Sequence, residues 1–202
     1  MFSTNFIIAI LLFTISTSFT PGPNNFLLIS SGMKFGLRRT LGHIFGIAVG
    51  FPIMLFIVGL VFSSIATLST KIFNILSIIG MLYLTYLAYK IIFSDLLYKE
   101  NAKSKPLTFL QAVLFQWVNP KAWVVAFSIA SSYIVLEYNF LTQLVFISIV
   151  YFIVAAVSSL TWAFFGSFIN KNIEKKLYLK TINIFLGLLL IISIIQMLPQ
   201  KF

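Results

Sequence analysis

Cysteine is absent from this chain, and with it go disulfides, thiolate metal sites and thiol nucleophiles. Charge is nearly as scarce: 9% of the 202 residues are charged against 60% hydrophobic. No water-soluble domain of this size needs such a balance, so most of the surface is expected to face lipid. There are only four acidic residues, Asp95, Glu100, Glu137 and Glu174. All fall in or beside the breaks between apolar runs, which leaves no carboxylate at mid-membrane depth to carry a proton or ligate a hard cation. His43 is the sole histidine; one imidazole cannot build a metal site, and a satisfied structural role is expected for it. No G-x-x-x-x-G-K-[ST] phosphate loop occurs, and no soluble segment is long enough to hold one, which excludes direct ATP hydrolysis.

What the chain does have is apolar length. Runs fall at about 5–31, 41–68, 72–93, 107–135, 140–169 and 178–198, near the roughly 20 residues that a helix needs to cross the hydrocarbon layer. They are too long and too uniformly apolar for barrel strands. The stretch 5–20 has no preceding Lys or Arg and is followed by no small-x-small cleavage site, so it reads as a retained span and not as a signal peptide. The expected fold is an all-α polytopic membrane protein with six transmembrane helices.

The net charge of +10 does not point to nucleic acid, because the basic residues sit between the runs and not in a patch interleaved with aromatics. Eleven of them lie in the odd-numbered connections: Lys34, Arg38 and Arg39; Lys90, Lys99, Lys103 and Lys105; Lys171, Lys175, Lys176 and Lys180. The even connections and both tails hold two, Lys71 and Lys201. The positive-inside rule then places both termini on the extracytoplasmic side of a bacterial inner membrane. The whole of 1–202 reads as one transmembrane domain, with halves of three spans at about 1–93 and 107–202 joined by a cytoplasmic loop, 94–106. Three is odd, so the second half must lie upside down relative to the first.

Internal echoes support an inverted repeat. The first span of each half is interrupted by proline, at Pro21-Gly22-Pro23-Asn24 and at Val118-Asn119-Pro120-Lys121. The second spans carry small residues at four-residue spacing, Gly42, Gly46 and Gly50 in one half and Ala155, Ser159 and Ala163 in the other. Such stripes let a neighbouring helix approach closely. The third spans each place Asn ahead of a glycine, Asn74 to Gly80 and Asn183 to Gly187.

Proline inside a helix removes a backbone donor and clashes with the carbonyl four residues back, so each interruption should break its helix. A single proline often serves only as a packing kink. Two breaks in corresponding spans, each flanked by Asn, favour a shared cavity in which half-helix N-termini attract a carboxylate and unwound carbonyls attract a cation. Asn24, Asn25 and Asn119 both donate and accept, which suits a zwitterion. Lys121 lies about fourteen residues into an apolar run. There it could bind a substrate carboxylate or relay a proton, or it could snorkel to the interface or bond unwound carbonyls. Trp117, Trp123 and Trp162 read as packing or interface residues.

The segment Thr20-Pro21-Gly22-Pro23-Asn24-Asn25-Phe26-Leu27-Leu28, followed by Gly36-Leu37-Arg38-Arg39 and the Gly42, Gly46, Gly50 stripe, resembles the N-terminal signature of the LysE/RhtB family of amino-acid exporters. Phe115-Gln116-Trp117-Val118-Asn119-Pro120-Lys121-Ala122 resembles that family's second signature at the expected spacing. The resemblance covers the whole chain. It implies a secondary transporter, not an enzyme, that exports amino acids or related small zwitterions and draws on the proton gradient, as an antiporter does, with no bound cofactor. Where members often carry an acidic or other polar residue directly after the stripe, this chain has Phe51-Pro52.

The expected substrate site is therefore Pro21, Gly22, Pro23, Asn24, Asn25, Asn119, Pro120 and Lys121, with the prolines and glycine shaping it, the Asn side chains bonding the substrate and Lys121 pairing with its carboxylate. The expected partners are a small solute and the lipid bilayer, with no nucleic acid; homo-oligomerisation stays open. The rival readings are a metal or inorganic-ion exporter, which the missing cysteines and mid-membrane acids disfavour, and a scaffold that transports nothing.

Overall fold

The computed structural model describes residues 2–65, 105–134 and 138–172, with single positions between 82 and 92 and between 180 and 191. The third and sixth apolar runs and all four acidic residues lie wholly or mostly outside the described residues. Five continuous helices and no strand occur among the described residues: α1, Thr4–Phe19; α2, Pro23–Ile65; α3, Phe109–Val118; α4, Pro120–Ser132; and α5, Phe140–Asn172.

Local chemistry sets their ends. Ser3 caps α1 by accepting from the Phe6 amide at 3.2 Å, and Thr108 and Gln111 form a reciprocal capping box at the start of α3, each satisfying amides that have no partner within the helix. Pro23 and Pro120 do more than kink a helix: each is the first residue of a new one, where a missing N–H costs nothing and the fixed φ is already helical. Asn119, before Pro120, is extended (φ −87°, ψ 106°), and so is Thr20, before Pro21 (φ −63°, ψ 132°), as the proline ring requires of its predecessor. The two interruptions are thus complete breaks between half-helices.

The first basic connection differs from the loop expected around Lys34 to Arg39. The chain stays helical through it except at Gly36, whose φ of 73° and ψ of 166° fall in a region essentially reserved for glycine. One residue makes the bend. Thr40 donates from Oγ1 to the Gly36 carbonyl at 2.8 Å, which leaves Ser31 to donate to Thr40 at 3.2 Å, a buried clasp across the kink. Lys34 and Arg39 lie over the Phe35 ring, 5.1 and 5.6 Å from its centroid. Without the bend, Pro23–Val61, an apolar stretch of 39 residues, would run about 58 Å, nearly twice the hydrocarbon thickness. Pro52 sits inside α2 without ending it.

Pro23–Val61 and Phe140–Ile169 are each long and apolar enough to cross a membrane. The surface around them is apolar too: Leu12, Leu110, Ile149 and Phe164 are all more than half exposed, as a lipid-facing shell requires. Helix α2 packs chiefly on α5 and next on α3. A side-chain carbon at Gly46 would lie 2.5 Å from the Phe109 carbonyl oxygen, and one at Gly50 would lie 2.7 Å from the Val113 Cα. Gly42 is looser against α3, 3.6 Å from the Phe109 nitrogen. A second close crossing carries no regular stripe: Gly32 of α2 meets the Ala163 carbonyl of α5, and Gly166 of α5 meets the Ile29 carbonyl of α2.

Two apolar cores flank the level of the breaks. One joins Ile10, Met54, Leu55, Val58, Ile129 and Ile147; the other, smaller, joins Leu28, Ile44, Ile47, Ala112 and Ala163. Between them the two breaks meet.

Candidate functional site

Breaking a helix frees carbonyls at one half's end and amides at the other's start. At the first break the carbonyls of Ser18 and Thr20 are bonded by the Asn25 side chain, whose Nδ2 donates to each at 3.0 Å. Thr20 receives a second donor from the other break: the Lys121 Nζ reaches its carbonyl at 2.8 Å, across 101 residues of sequence. Gly22 makes room for that reach, since a side-chain carbon there would sit 2.9 Å from Lys121 Cδ. At the second break Asn119 caps α4, its Oδ1 accepting from the Lys121 amide at 3.2 Å.

A third link joins the breaks. Asn24 donates from Nδ2 to Gln116 Oε1 at 2.9 Å, and Gln116 returns Nε2 to Asn24 Oδ1 at 3.3 Å. Gln116 also donates to the Ala112 carbonyl at 2.9 Å. It is fully buried, so its amide is satisfied only while Asn24 faces it.

These groups surround a cavity of about 70 Å³. Of the expected residues, Gly22, Asn24, Asn25, Asn119 and Lys121 line it. Pro21 is exposed, whereas Pro23 and Pro120 are buried behind the wall, so the prolines shape the site without facing it. Gly42, Gly46 and Gly50 also stand away from the cavity, against α3. Lys121 is the one charged side chain among the described lining residues.

Sequence reasoning did not assign the rest of the lining to the site. Thr17 and Ser18 from the end of α1, and Tyr151, Ser158 and Ser159 from α5, line the cavity. Tyr151 is buried, shares a hydrogen bond of 2.9 Å with Thr17 Oγ1 and packs edge-on against Phe51, 5.0 Å between centroids. Phe51, which follows the glycine stripe, is thus an apolar part of the cavity wall. Ser158 donates to the Ser18 carbonyl at 2.8 Å. Apart from Ser159, which stood in the small-residue stripe, the only sequence signal for these residues was hydroxyls within an otherwise apolar run.

Two further expectations meet mixed outcomes. Trp117 and Trp123 pack together, with the Trp123 indole donating to the Trp117 carbonyl at 2.8 Å, and Trp162 packs on the smaller core. His43 is buried, but neither ring nitrogen finds a hydrogen-bond partner among the described residues, so the satisfied structural role expected for it is not what the structure contains.

Broken helices that expose backbone and amide groups to a small polar cavity, inside an apolar shell, are the architecture of a membrane carrier for small solutes. Comparison with known proteins makes that specific. The LysE type translocator family model matches residues 15–198, and the chain belongs to this family; it is a transporter and not an enzyme. It is similar to proteins named cysteine/O-acetylserine efflux protein. It is 31% identical over 180 residues to those of Salmonella choleraesuis and Salmonella typhimurium, an alignment covering 89% of this chain and 90% of each relative. With the one from Escherichia coli O139:H28 it shares 28% identity over 179 residues, at the same coverage. No solved structure matches the chain.

Proposed function

We propose that this translocator exports small neutral amino acids and close derivatives across the bacterial inner membrane, holding each between the two helix breaks with its carboxylate on Lys121. The supporting observation is the Lys121 ammonium, drawn onto the broken end of α1 beside the start of α2. There the amides of Asn24 and Asn25 have no partner within the helix and the dipole is positive. A carboxylate that takes Lys121 from the Thr20 carbonyl would exchange a neutral acceptor for a charged one and so add ion pairing to the hydrogen bond.

Size supports a small cargo. A cavity of about 70 Å³ is a few times the roughly 15 Å³ that suffices for one water. The relatives' names, cysteine and O-acetylserine efflux, suggest the same class. A dibasic amino acid would bring a second cation toward Lys121 and is expected to be poor cargo.

The carrier is a single domain of six spans in two inverted three-helix halves, with both termini extracytoplasmic. One half rocks against the other, the Asn24–Gln116 and Lys121–Thr20 contacts part and re-form, and the proton gradient drives the cycle. Cells that express the chain and are loaded with individual amino acids should lose small neutral ones to the medium faster than cells without it. Equal loss across serine, cysteine, O-acetylserine and alanine from cells with and without the chain would remove this reading.

A further inference from the structure

Part of the cavity lining has a chemical character that follows from counting protons. Thr17 has one hydroxyl hydrogen, which it directs at the Phe13 and Thr14 carbonyls at 2.8 and 3.2 Å. In the bond between Thr17 and Tyr151, 2.9 Å long, either oxygen can donate; with the Thr17 hydrogen on a backbone carbonyl, Tyr151 is the donor and its phenol oxygen keeps lone pairs to offer. Ser158 gives its one hydrogen to the Ser18 carbonyl at 2.8 Å, so its Oγ likewise keeps lone pairs. Asn25 gives both amide hydrogens away, to Ser18 and Thr20, and its Oδ1 is an acceptor by nature.

The three residues converge. Tyr151 and Ser158 are seven positions apart on α5, which puts them on one face. Their partners Thr17 and Ser18 are consecutive, and Asn25 shares the Ser18 carbonyl with Ser158. All three line the cavity.

We infer that Asn25, Ser158 and Tyr151 form the subsite for the substrate's ammonium group, built wholly from neutral oxygen acceptors. An ammonium has three hydrogens and no acceptor, so it is the complement of these three oxygens, which have lone pairs to offer. The inference rests on the proposed export of amino acids and deepens it. With Lys121 fixing the carboxylate, the wall reads whether the α-substituent donates three hydrogens or one, and makes the site selective for amino acids over the matching hydroxy acids. Neutral acceptors also bind the zwitterion without a fixed negative charge, which would hold it too tightly for release.

The test is exchange of labelled L-serine in proteoliposomes of the full chain, with unlabelled L-alanine and L-lactate as competitors; the two share a carboxylate and differ in ammonium against hydroxyl. The wild type should prefer alanine by about tenfold or more, the scale of one charge-assisted hydrogen bond. Tyr151→Phe and Ser158→Ala, singly and together, should bring that ratio to within about threefold by weakening alanine more than lactate, because the ammonium donates to both hydroxyls and lactate's single hydrogen to one acceptor at most. Lys121→Gln should weaken both competitors alike. Each single variant is measured beside the double, so loss of the double from the membrane leaves the result decidable. An unchanged alanine-to-lactate ratio in exchanging Tyr151→Phe and Ser158→Ala proteins overturns the subsite and leaves the export reading standing. A wild type that exchanges no serine removes both.

Discussion

Lys121→Gln is expected to lower the initial rate of amino-acid export by roughly a hundredfold at matched membrane levels, within the range seen when a partly desolvated charge is removed from its ligand's partner. Glutamine keeps a neutral donor, one bond shorter than lysine, on the side of the Thr20 carbonyl that Lys121 reaches at 2.8 Å. If the lysine only closes the broken end of α1, this variant should transport well. If its charge holds the substrate carboxylate, it should not. Lys121→Arg keeps the charge and should also transport poorly. Gly22 already leaves only enough space for a lysine stem, with a hypothetical side-chain carbon 3.1 Å from Nζ, and a planar guanidinium is broader. Lys105→Ala, at an exposed position ahead of α3, should behave as wild type. Rates in proteoliposomes check all three; a Lys121→Gln protein at more than half the wild-type rate would return the lysine to a structural role.

Asn24→Ala and Gln116→Ala are each expected to reduce export at least about tenfold: the first leaves the buried Gln116 Oε1 without its partner and the second leaves the half-buried Asn24 amide without its own, a loss of about 1–3 kcal/mol at the buried group. The double variant should be no worse than the weaker single one, because removing both partners leaves no orphan. That non-additivity distinguishes a coupled pair from two separate roles. Gln116, fully buried and reached by Asn24 from 92 residues away in sequence, has no other side-chain partner among the described residues. Efflux rates of the three variants, with protein amount read by immunoblot, complete the cycle; additive losses would mean that the two residues act independently.

The breaks themselves were legible in the sequence, because proline acts locally: Pro23 and Pro120 dictate a helix start whatever surrounds them. Lys121 was legible for a related reason, being a lone charge deep in an apolar run. The connection around Lys34 to Arg39 misled because clustered charge resembles a loop. In the structure the turn belongs to Gly36 alone, and the basic residues ride on helix with Phe35 beneath two of them. The acceptor wall was not legible. Tyr151 and Ser158 are hydroxyls scattered in an apolar run, and their partners Thr17 and Ser18 lie 134 and 140 residues away; no periodicity encodes that meeting. Gln116 stood in a recognised signature, but only the fold showed Asn24 opposite it. The crossing at Gly32 and Gly166 was equally hidden, since each glycine's reason is a backbone on another helix.

The absence of cysteine gives the most direct test that the two breaks meet, because any thiol introduced is the only one present. Asn24→Cys and Gln116→Cys, made together, put sulfurs where the native side chains bond at 2.9 Å. In membranes, a bifunctional methanethiosulfonate with a one-carbon spacer should link them within one chain, stop residual export and release it again on reduction. Two sites that each accept a monofunctional reagent but are never bridged by the short reagent would contradict the account.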